Sequence, residues 1–210
     1  NDKCAAYVAE CRSMGLEVLP PDVNSSHFDF SIEDRADGKA AIRFGLGAVK
    51  NVGPNPVDMI MAARVDQPFC DLNDFVRRVD LRVVGKRPLE CLIKVGALDA
   101  FGQRHALLRA LDQMVNISTT HFRAVEMGQM LLFGSSAESV GSIQLQNTGR
   151  ADKNEQLEWE KELLGIYVTE HPLSAYMSLI SGKISHLSNA LEELPDESKV
   201  VVGGVVKKMR

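Results

Sequence analysis

The sequence predicts a mainly α-helical protein with one small β-hairpin, and three observations support this fold class. Apolar residues recur at helical spacing along most of the chain, for example in residues 2–14 and 154–168. Gly and Pro residues divide the helical pattern into short segments. Apolar and polar residues alternate in residues 27–32 and 41–44, and the polar segment between them contains Asp-Gly, so a hairpin is expected there.

Composition restricts the class of protein further. The chain has 210 residues, of which 45% are hydrophobic, so it can bury at least one core. No apolar run is long enough to cross a bilayer and no signal-peptide pattern is present, which predicts a soluble, cytoplasmic protein without a membrane partner. Four widely separated cysteines without a CxxC motif argue against a zinc site or a disulfide framework. The first residue is not Met and residues 199–206 have a strand pattern, so we interpret the chain as part of a longer protein.

Charge is distributed unevenly along the chain. The net charge of −4 argues against a simple nucleic-acid binder. However, residues 39–113 contain 12 Lys and Arg against 8 Asp and Glu, whereas the remainder contains 12 against 20. Basic charge is therefore concentrated in one segment, as a phosphate-binding surface requires. A solvated helical surface is the alternative.

Residues 51–57, Asn-Val-Gly-Pro-Asn-Pro-Val, lie between two segments of helical spacing, 44–50 and 58–64. A helix that opens on Pro after this turn would present unpaired backbone N–H groups at the positive end of its dipole, and Gly53 would let another backbone come close. The segment resembles a helix-hairpin-helix motif, which holds a DNA backbone without reading sequence. That motif usually has Gly where Asn51 stands, and a plain helical corner is the alternative. The predicted DNA contacts here are Lys50, Asn51, Val52, Gly53, Pro54 and Asn55.

A second hairpin is predicted at residues 96–102, between a helix that starts at Pro88 and another that starts near Gln103. Two such units in tandem could grip both strands of a duplex across the minor groove. Asp99 in the second turn would repel phosphate, so we expect that turn to be chiefly structural. The predicted basic contacts in this region are Arg104, at the new helix start, and Lys86 and Arg87, just after Gly85. Two exposed cations without a function are the alternative for Lys86 and Arg87.

Residues 129–133 form an apolar pentamer beside a segment of linker composition, residues 135–154. A pentamer in this position has little to pack against locally, which predicts insertion into a partner. The pattern Gln-x-Leu-x-Phe is similar to the sliding-clamp-binding motif of bacterial polymerases. A buried strand or a last helical turn is the alternative. The predicted contacts are Gln129, Met130, Leu131, Leu132 and Phe133.

Several separated motifs resemble one family, the C-family of bacterial replicative polymerases, or DNA polymerase III alpha subunits. They are residues 14–24, 44–53, 86–90, 92–99, 162–165 and 171–173. The resemblance covers nearly the whole chain, from the end of the fingers through the tandem helix-hairpin-helix and clamp-binding region to the start of the OB-fold. It implies double-stranded DNA and the sliding clamp (polymerase beta subunit) as partners, and other replisome subunits through regions outside this chain.

The resemblance also implies a division of the chain into five parts. Residues 1–26 would be the end of the fingers with an extended connector, and residues 27–116 the β-hairpin with the tandem helix-hairpin-helix domain. Residues 117–154 would hold the clamp-binding motif and a flexible linker. Residues 155–197 would be a helical linker, and residues 198–210 the first strand of an OB-fold.

Catalytic residues are not apparent in the sequence. Acidic pairs such as Asp71 with Asp74 occur in helix-cap or surface contexts, and there is no P-loop, no His/Asp cluster and no nucleophile with a base. We expect no cofactor or metal in this segment. By resemblance, Mg²⁺ and the nucleotidyltransferase activity belong to a palm domain that precedes residue 1. The rival hypotheses are a helix-hairpin-helix scaffold of a DNA repair or recombination protein, and a hydrolase or nuclease whose active site is not recognisable.

Overall fold

The computed structural model describes residues 2–35, 38–128, 141–146 and 152–170, together with shorter stretches after residue 170. Those stretches are residues 172, 176, 179, 182–186, 195 and 197–204. The chain divides into two compact units, residues 1–169 and residues 170–210. The elements that matter here all lie in the first unit.

Seven α-helices are present in the described part of the chain. They are α1 (Asp2–Ser13), α2 (Pro54–Ala63), α3 (Leu72–Arg78), α4 (Leu81–Val84), α5 (Lys86–Lys94), α6 (Arg104–Glu126) and α7 (Lys153–Leu163). Two short 3-10 turns, Leu46–Ala48 and Asp99–Phe101, precede α2 and α6. Together with a three-stranded sheet, these elements confirm the predicted mainly α-helical class.

The small sheet contains β1 (Glu17–Leu19), β2 (Ser31–Asp34) and β3 (Ala40–Arg43), in the order β1-β3-β2. The hairpin between β2 and β3 was predicted, and the pairing of Ile32 with Ile42 sets its register. The third strand, β1, comes from the predicted extended connector and pairs with β3 in parallel. The strand predicted at residues 27–32 begins later than expected. The carbonyls of His27 and Phe28 instead accept N–H groups from the 3-10 turn, both at 2.9 Å.

The core lies between the long helix α6 and the shorter helices α3, α4 and α5 that pack against it. Its largest fully buried side chains include Phe44, Phe75, Leu89, Leu92 and Leu107. The apolar positions of α5 recur at helical spacing and face this core, which is why the sequence pattern located the helix correctly.

Three local predictions were wrong. The helix expected at residues 44–50 is only the 3-10 turn, because the N–H groups of Leu46 and Gly47 donate to carbonyls of residues 27–28 instead of extending a helix. Helix α5 begins two residues before Pro88. In addition, residues 198–204, where a strand was expected, have no regular secondary structure.

Candidate nucleic-acid interface

The first hairpin, residues 51–55, has the backbone conformation that the sequence predicts. Asn51 is exposed and adopts a left-handed conformation, with φ of 68°, which explains why glycine suits this position. Gly53 forms the N-cap of α2 in an extended conformation, and no side chain caps the helix. A Cβ atom added at Gly53 would meet nothing within 4 Å, so there is room beside this backbone for an incoming group.

The hairpin presents fewer helical N–H donors than a typical helix start. Pro54 and Pro56 occupy two positions of the first turn of α2 and have no N–H group. The N–H groups of Asn51, Gly53 and Asn55 have no acceptor among the described residues. Free donors therefore remain on alternate residues of an exposed turn at the positive end of α2, which is a suitable arrangement for an anion.

A second hairpin in the structure, distinct from the one predicted at residues 96–102, is formed by α4, Gly85 and α5. Gly85 has φ of 82° and serves as both the C-cap of α4 and the N-cap of α5. No side chain caps α5, and its first two residues are the exposed Lys86 and Arg87. The Lys86 ammonium lies 2.6 Å from the carboxylate of Asp112, in an exposed ion pair. Arg87 has no ion pair within the described part of the chain, so its charge is available to a ligand.

These two hairpins lie side by side. Helix α2 packs against α4, and the side-chain amide of Asn51 donates to the Cys91 sulfur at 3.6 Å. Cys91 lies one helical turn after Arg87 on α5, so Arg87 belongs to the part of α5 that adjoins the first hairpin. We call residues 51–55 and 85–87 the hairpin pair. It contains every sequence-predicted DNA contact except Lys50, which immediately precedes it, and Arg104. Val52 is 7% exposed and its N–H donates to the Val49 carbonyl at 3.1 Å, so the predicted contact at Val52 is wrong.

Arg104 occupies a different environment from the predicted one. It is 4% exposed, and its guanidinium donates to Asp99 at 2.9–3.1 Å, to the Lys94 carbonyl at 3.0 Å and to Glu160 at 3.3 Å. Its charge is therefore matched inside the protein, and phosphate cannot reach it. Asp99, in the turn at residues 96–102, is one of its partners, at 2.9 Å.

A glycine makes this ion cluster possible. Gly96 has φ of 86°, and a Cβ atom on it would collide with the guanidinium of Arg104 and the carboxylate of Asp99. One feature of the sequence indicates that the Arg104 side chain points into the protein. Arg104 precedes Leu107 and Leu111 by three and seven residues, which places all three on the buried face of α6.

Asp80 holds the short helix that leads into the second hairpin. As the N-cap of α4, its carboxylate accepts the Arg82 N–H at 3.0 Å and the Arg82 guanidinium at 2.6–3.2 Å. Hydrogen bonds from Arg82 hold the pKa of Asp80 below its usual range. Arg82 also pairs with Glu126 at 2.6 Å, which ties α4 to the end of α6.

Residues 129–133, the predicted clamp-binding motif, lie outside the described residues. Part of the predicted flexible linker that follows is docked on the protein. Ile143 is 6% exposed, and the Asn73 side chain accepts its N–H at 2.8 Å and donates to its carbonyl at 3.4 Å. Leu145 packs against Gly102. Residues 141–146 therefore form a strap across α3 and α6.

Two features are absent from the described part of the chain. It contains no group of three or more His, Cys, Asp or Glu residues that could hold a metal ion. None of the helices described there is long and apolar enough to span a bilayer.

A family model described as a helix-hairpin-helix motif matches residues 15–108, a range that includes the hairpin pair. The chain is also homologous over its whole length to one segment of DNA polymerase III alpha subunits, which confirms the resemblance seen in the sequence.

The relatives make the extent of this similarity clear. The alpha subunit of Thermus aquaticus is 41% identical over 213 residues, which cover 100% of this chain and 17% of that protein. The Vibrio cholerae subunit is 37% identical, over 98% of this chain and 18% of that protein. The Campylobacter jejuni subunit is 36% identical, over 100% and 18%. The chain thus spans less than a fifth of the length of the curated relatives it matches.

Proposed function

We propose that this chain is the segment of a DNA polymerase III alpha subunit that binds duplex DNA through its backbone and tethers the polymerase to the sliding clamp. The observation that carries the DNA-binding part is the hairpin pair. It combines free N–H groups on Asn51, Gly53 and Asn55 with the available charge of Arg87 on one continuous region. Backbone N–H groups and cationic side chains at such a turn are typical contacts to phosphate, and contacts to phosphate position a protein on DNA without reading its sequence.

The chemistry of the hairpin pair favours non-specific binding. The turn at Gly53 is open enough for a phosphate to approach the backbone, and the positive end of α2 points in the same direction. Lys50, Lys86 and Arg87 supply the positive charge around these donors. Duplex affinity should therefore depend strongly on salt and weakly on sequence.

The clamp-binding part of the proposal rests on the pentamer Gln129–Phe133. In this proposal Gln129 hydrogen-bonds at the edge of a pocket on the clamp (polymerase beta subunit), and the apolar side chains fill the pocket. A peptide contact of this size gives affinity on the order of micromolar. Simultaneous contact with DNA would raise the effective affinity through avidity, which suits processive synthesis.

The polymerase reaction itself belongs, in this proposal, to the remainder of the protein. We assign nucleotidyl transfer and its Mg²⁺ ions to a part outside this chain and a non-catalytic role to the segment itself. Its function is to hold the duplex and the clamp near the site of synthesis. Contacts with other replisome subunits would be made through other regions of the protein.

Binding measurements test the DNA-binding proposal directly. A fluorescent duplex is titrated with the full-length protein at several salt concentrations, for two unrelated DNA sequences. We expect similar affinities for both sequences and a linear fall of log affinity with log salt. Salt-independent binding, or strong discrimination between the sequences, would contradict the proposal.

A further inference from the structure

The buried carboxylate of Glu160 on α7 accepts three hydrogen bonds in addition to its ion pair. Glu160 is 1% exposed, and Arg104 donates to it at 3.3 Å. The same carboxylate accepts the Val168 N–H at 3.0 Å, the Thr169 N–H at 3.1 Å and the Thr169 hydroxyl at 2.9 Å. Glu160 therefore fastens the chain where it turns back after the end of α7. We call residues 160–169 the α7 bracket.

The bracket is fixed to the core at other points. Leu163, Leu164, Ile166 and Val168 are each buried. The Arg12 guanidinium on α1 donates to the carbonyls of residues 167 and 168, at 3.1 and 2.9 Å. The bracket thus belongs to the first unit, of which Thr169 is the last residue.

One bond of the bracket reaches the hairpin pair. The carbonyl of Leu163, which has no partner within the helix because α7 ends there, accepts the N–H of Lys50 at 2.9 Å. Lys50 immediately precedes Asn51, whose left-handed conformation is better tolerated by Asn than by other residues with a side chain but still costs free energy relative to Gly. The hairpin therefore depends on outside contacts to keep its shape. They include the hydrogen bonds with the Leu163 carbonyl and the Cys91 sulfur and the burial of Val52 in the core.

We propose that Glu160 is a positioning residue for the DNA-binding hairpin. It holds the bracket in place, the bracket presents the Leu163 carbonyl to Lys50, and this bond keeps Asn51, Gly53 and Asn55 in the conformation that leaves their N–H groups free. This inference rests on the proposed DNA-binding function. When the bracket loosens, only a fraction of molecules has the binding-competent hairpin, and the apparent Kd rises by the inverse of that fraction.

Hydrogen exchange of the Lys50 amide is a readout that does not involve DNA. In the full-length protein we expect this amide to be protected, and to exchange faster in Glu160→Gln while the amides of Leu92 and Ile93 in α5 stay protected. A general loss of protection would mean that Glu160 only stabilises the fold, and an unchanged Lys50 amide would mean that it does not hold the hairpin. Either result overturns the proposal.

Two milder variants at Thr169 test the same proposal if Glu160→Gln does not fold. Thr169 is exposed, so Thr169→Val removes its hydroxyl donor with little effect on the core, and Thr169→Ser retains the donor. We expect faster exchange at Lys50 in the Val variant and wild-type exchange in the Ser variant. Glu158→Gln, the same substitution at an exposed position of α7, is the matched control and should change nothing.

Duplex binding completes the test. If about a tenth of the Glu160→Gln molecules keep the competent hairpin, the apparent Kd rises about tenfold with an unchanged salt slope, because the bound state makes the same phosphate contacts. Thr169→Val should give a smaller rise. A change in exchange without a change in Kd, or the reverse, overturns the inference alone. A wild-type protein that does not bind duplex DNA refutes the proposed function, and this inference with it.

Discussion

Arg87→Ala is the substitution that most directly tests the hairpin pair. Arg87 is exposed and has no ion pair within the described part of the chain, so its loss should leave the free energy of unfolding almost unchanged. Its position one helical turn before Cys91 places it in the part of α5 beside Asn51. If a duplex lies across the two hairpins, the Arg87 guanidinium contacts a phosphate, and the variant loses that contact.

The size of the effect follows from the number of available charges. Each phosphate neutralised contributes about 0.9 to the slope of log affinity against log salt. A contact by Arg87 should therefore account for roughly one unit of slope. An exposed charge pair is worth about 1 kcal/mol, which corresponds to a Kd about fivefold higher in the variant. Lys86→Ala should have a smaller effect, because Asp112 already neutralises part of the Lys86 charge at 2.6 Å.

Fluorescence anisotropy with a labelled duplex, repeated over a range of salt, measures both quantities. Arg109→Ala is the matched control, because Arg109 is also exposed and without an ion pair in the described chain, but lies on α6 beside the strap. It should change neither the slope nor the Kd beyond the small effect of one net charge.

Arg104→Ala should have the opposite effects to Arg87→Ala, a loss of stability without a change in the salt dependence of DNA binding. It should cost about 3–5 kcal/mol of stability, because it leaves a buried carboxylate unpaired, while any folded protein keeps the wild-type salt slope. If Arg87→Ala binds with wild-type affinity and slope, or if Arg109→Ala weakens binding equally, the DNA does not lie on the hairpin pair.

Three other expectations concern the clamp, the strap and pH. Replacing Gln129 and Phe133 together by Ala should abolish capture by immobilised sliding clamp and leave duplex affinity intact. Loss of both activities would mean that the pentamer is structural. Asn73→Ala removes both hydrogen bonds to the strap and should lower the free energy of unfolding by about 1–3 kcal/mol in urea titrations, with Asn73→Asp intermediate because it still accepts the Ile143 N–H. The pKa of Asp80 is lower in the folded chain than in the unfolded chain, where it is about 3.9. The ionised carboxylate therefore stabilises the fold fully above the unfolded pKa, and this contribution disappears as pH falls through the lower folded pKa. Asp80→Asn should thus be less stable than wild type near neutral pH, and urea titrations that show the same difference at strongly acid pH would contradict this reasoning.

Features determined by neighbouring residues were predictable from the sequence. The helix start after Gly53, the left-handed tendency of Asn51 and the apolar face of α5 all follow from local spacing and backbone chemistry. These local rules locate the first hairpin and the cationic start of α5. They do not show that the two are adjacent, because that depends on the packing of α2 against α4.

Features that depend on distant residues were missed. Arg104 has the local appearance of a basic helix start, and its partner Glu160 is 56 residues away in sequence. The strap has the composition of a linker, but Asn73, 70 residues earlier, satisfies the backbone of Ile143 and allows it to be buried. Single-sequence patterns indicate which groups need a partner, whereas the partner itself is set by tertiary packing.

The two prolines of the first hairpin have an entropic consequence for binding. Pro54 and Pro56 fix φ at both positions, so this turn has few alternative conformations to lose when DNA arrives. The prolines remove two hydrogen-bond donors from the helix start, but they also reduce the cost of ordering the donors on either side. The segment from Pro54 to Pro56 therefore needs little ordering when phosphate binds, whereas Asn51 depends on its outside contacts.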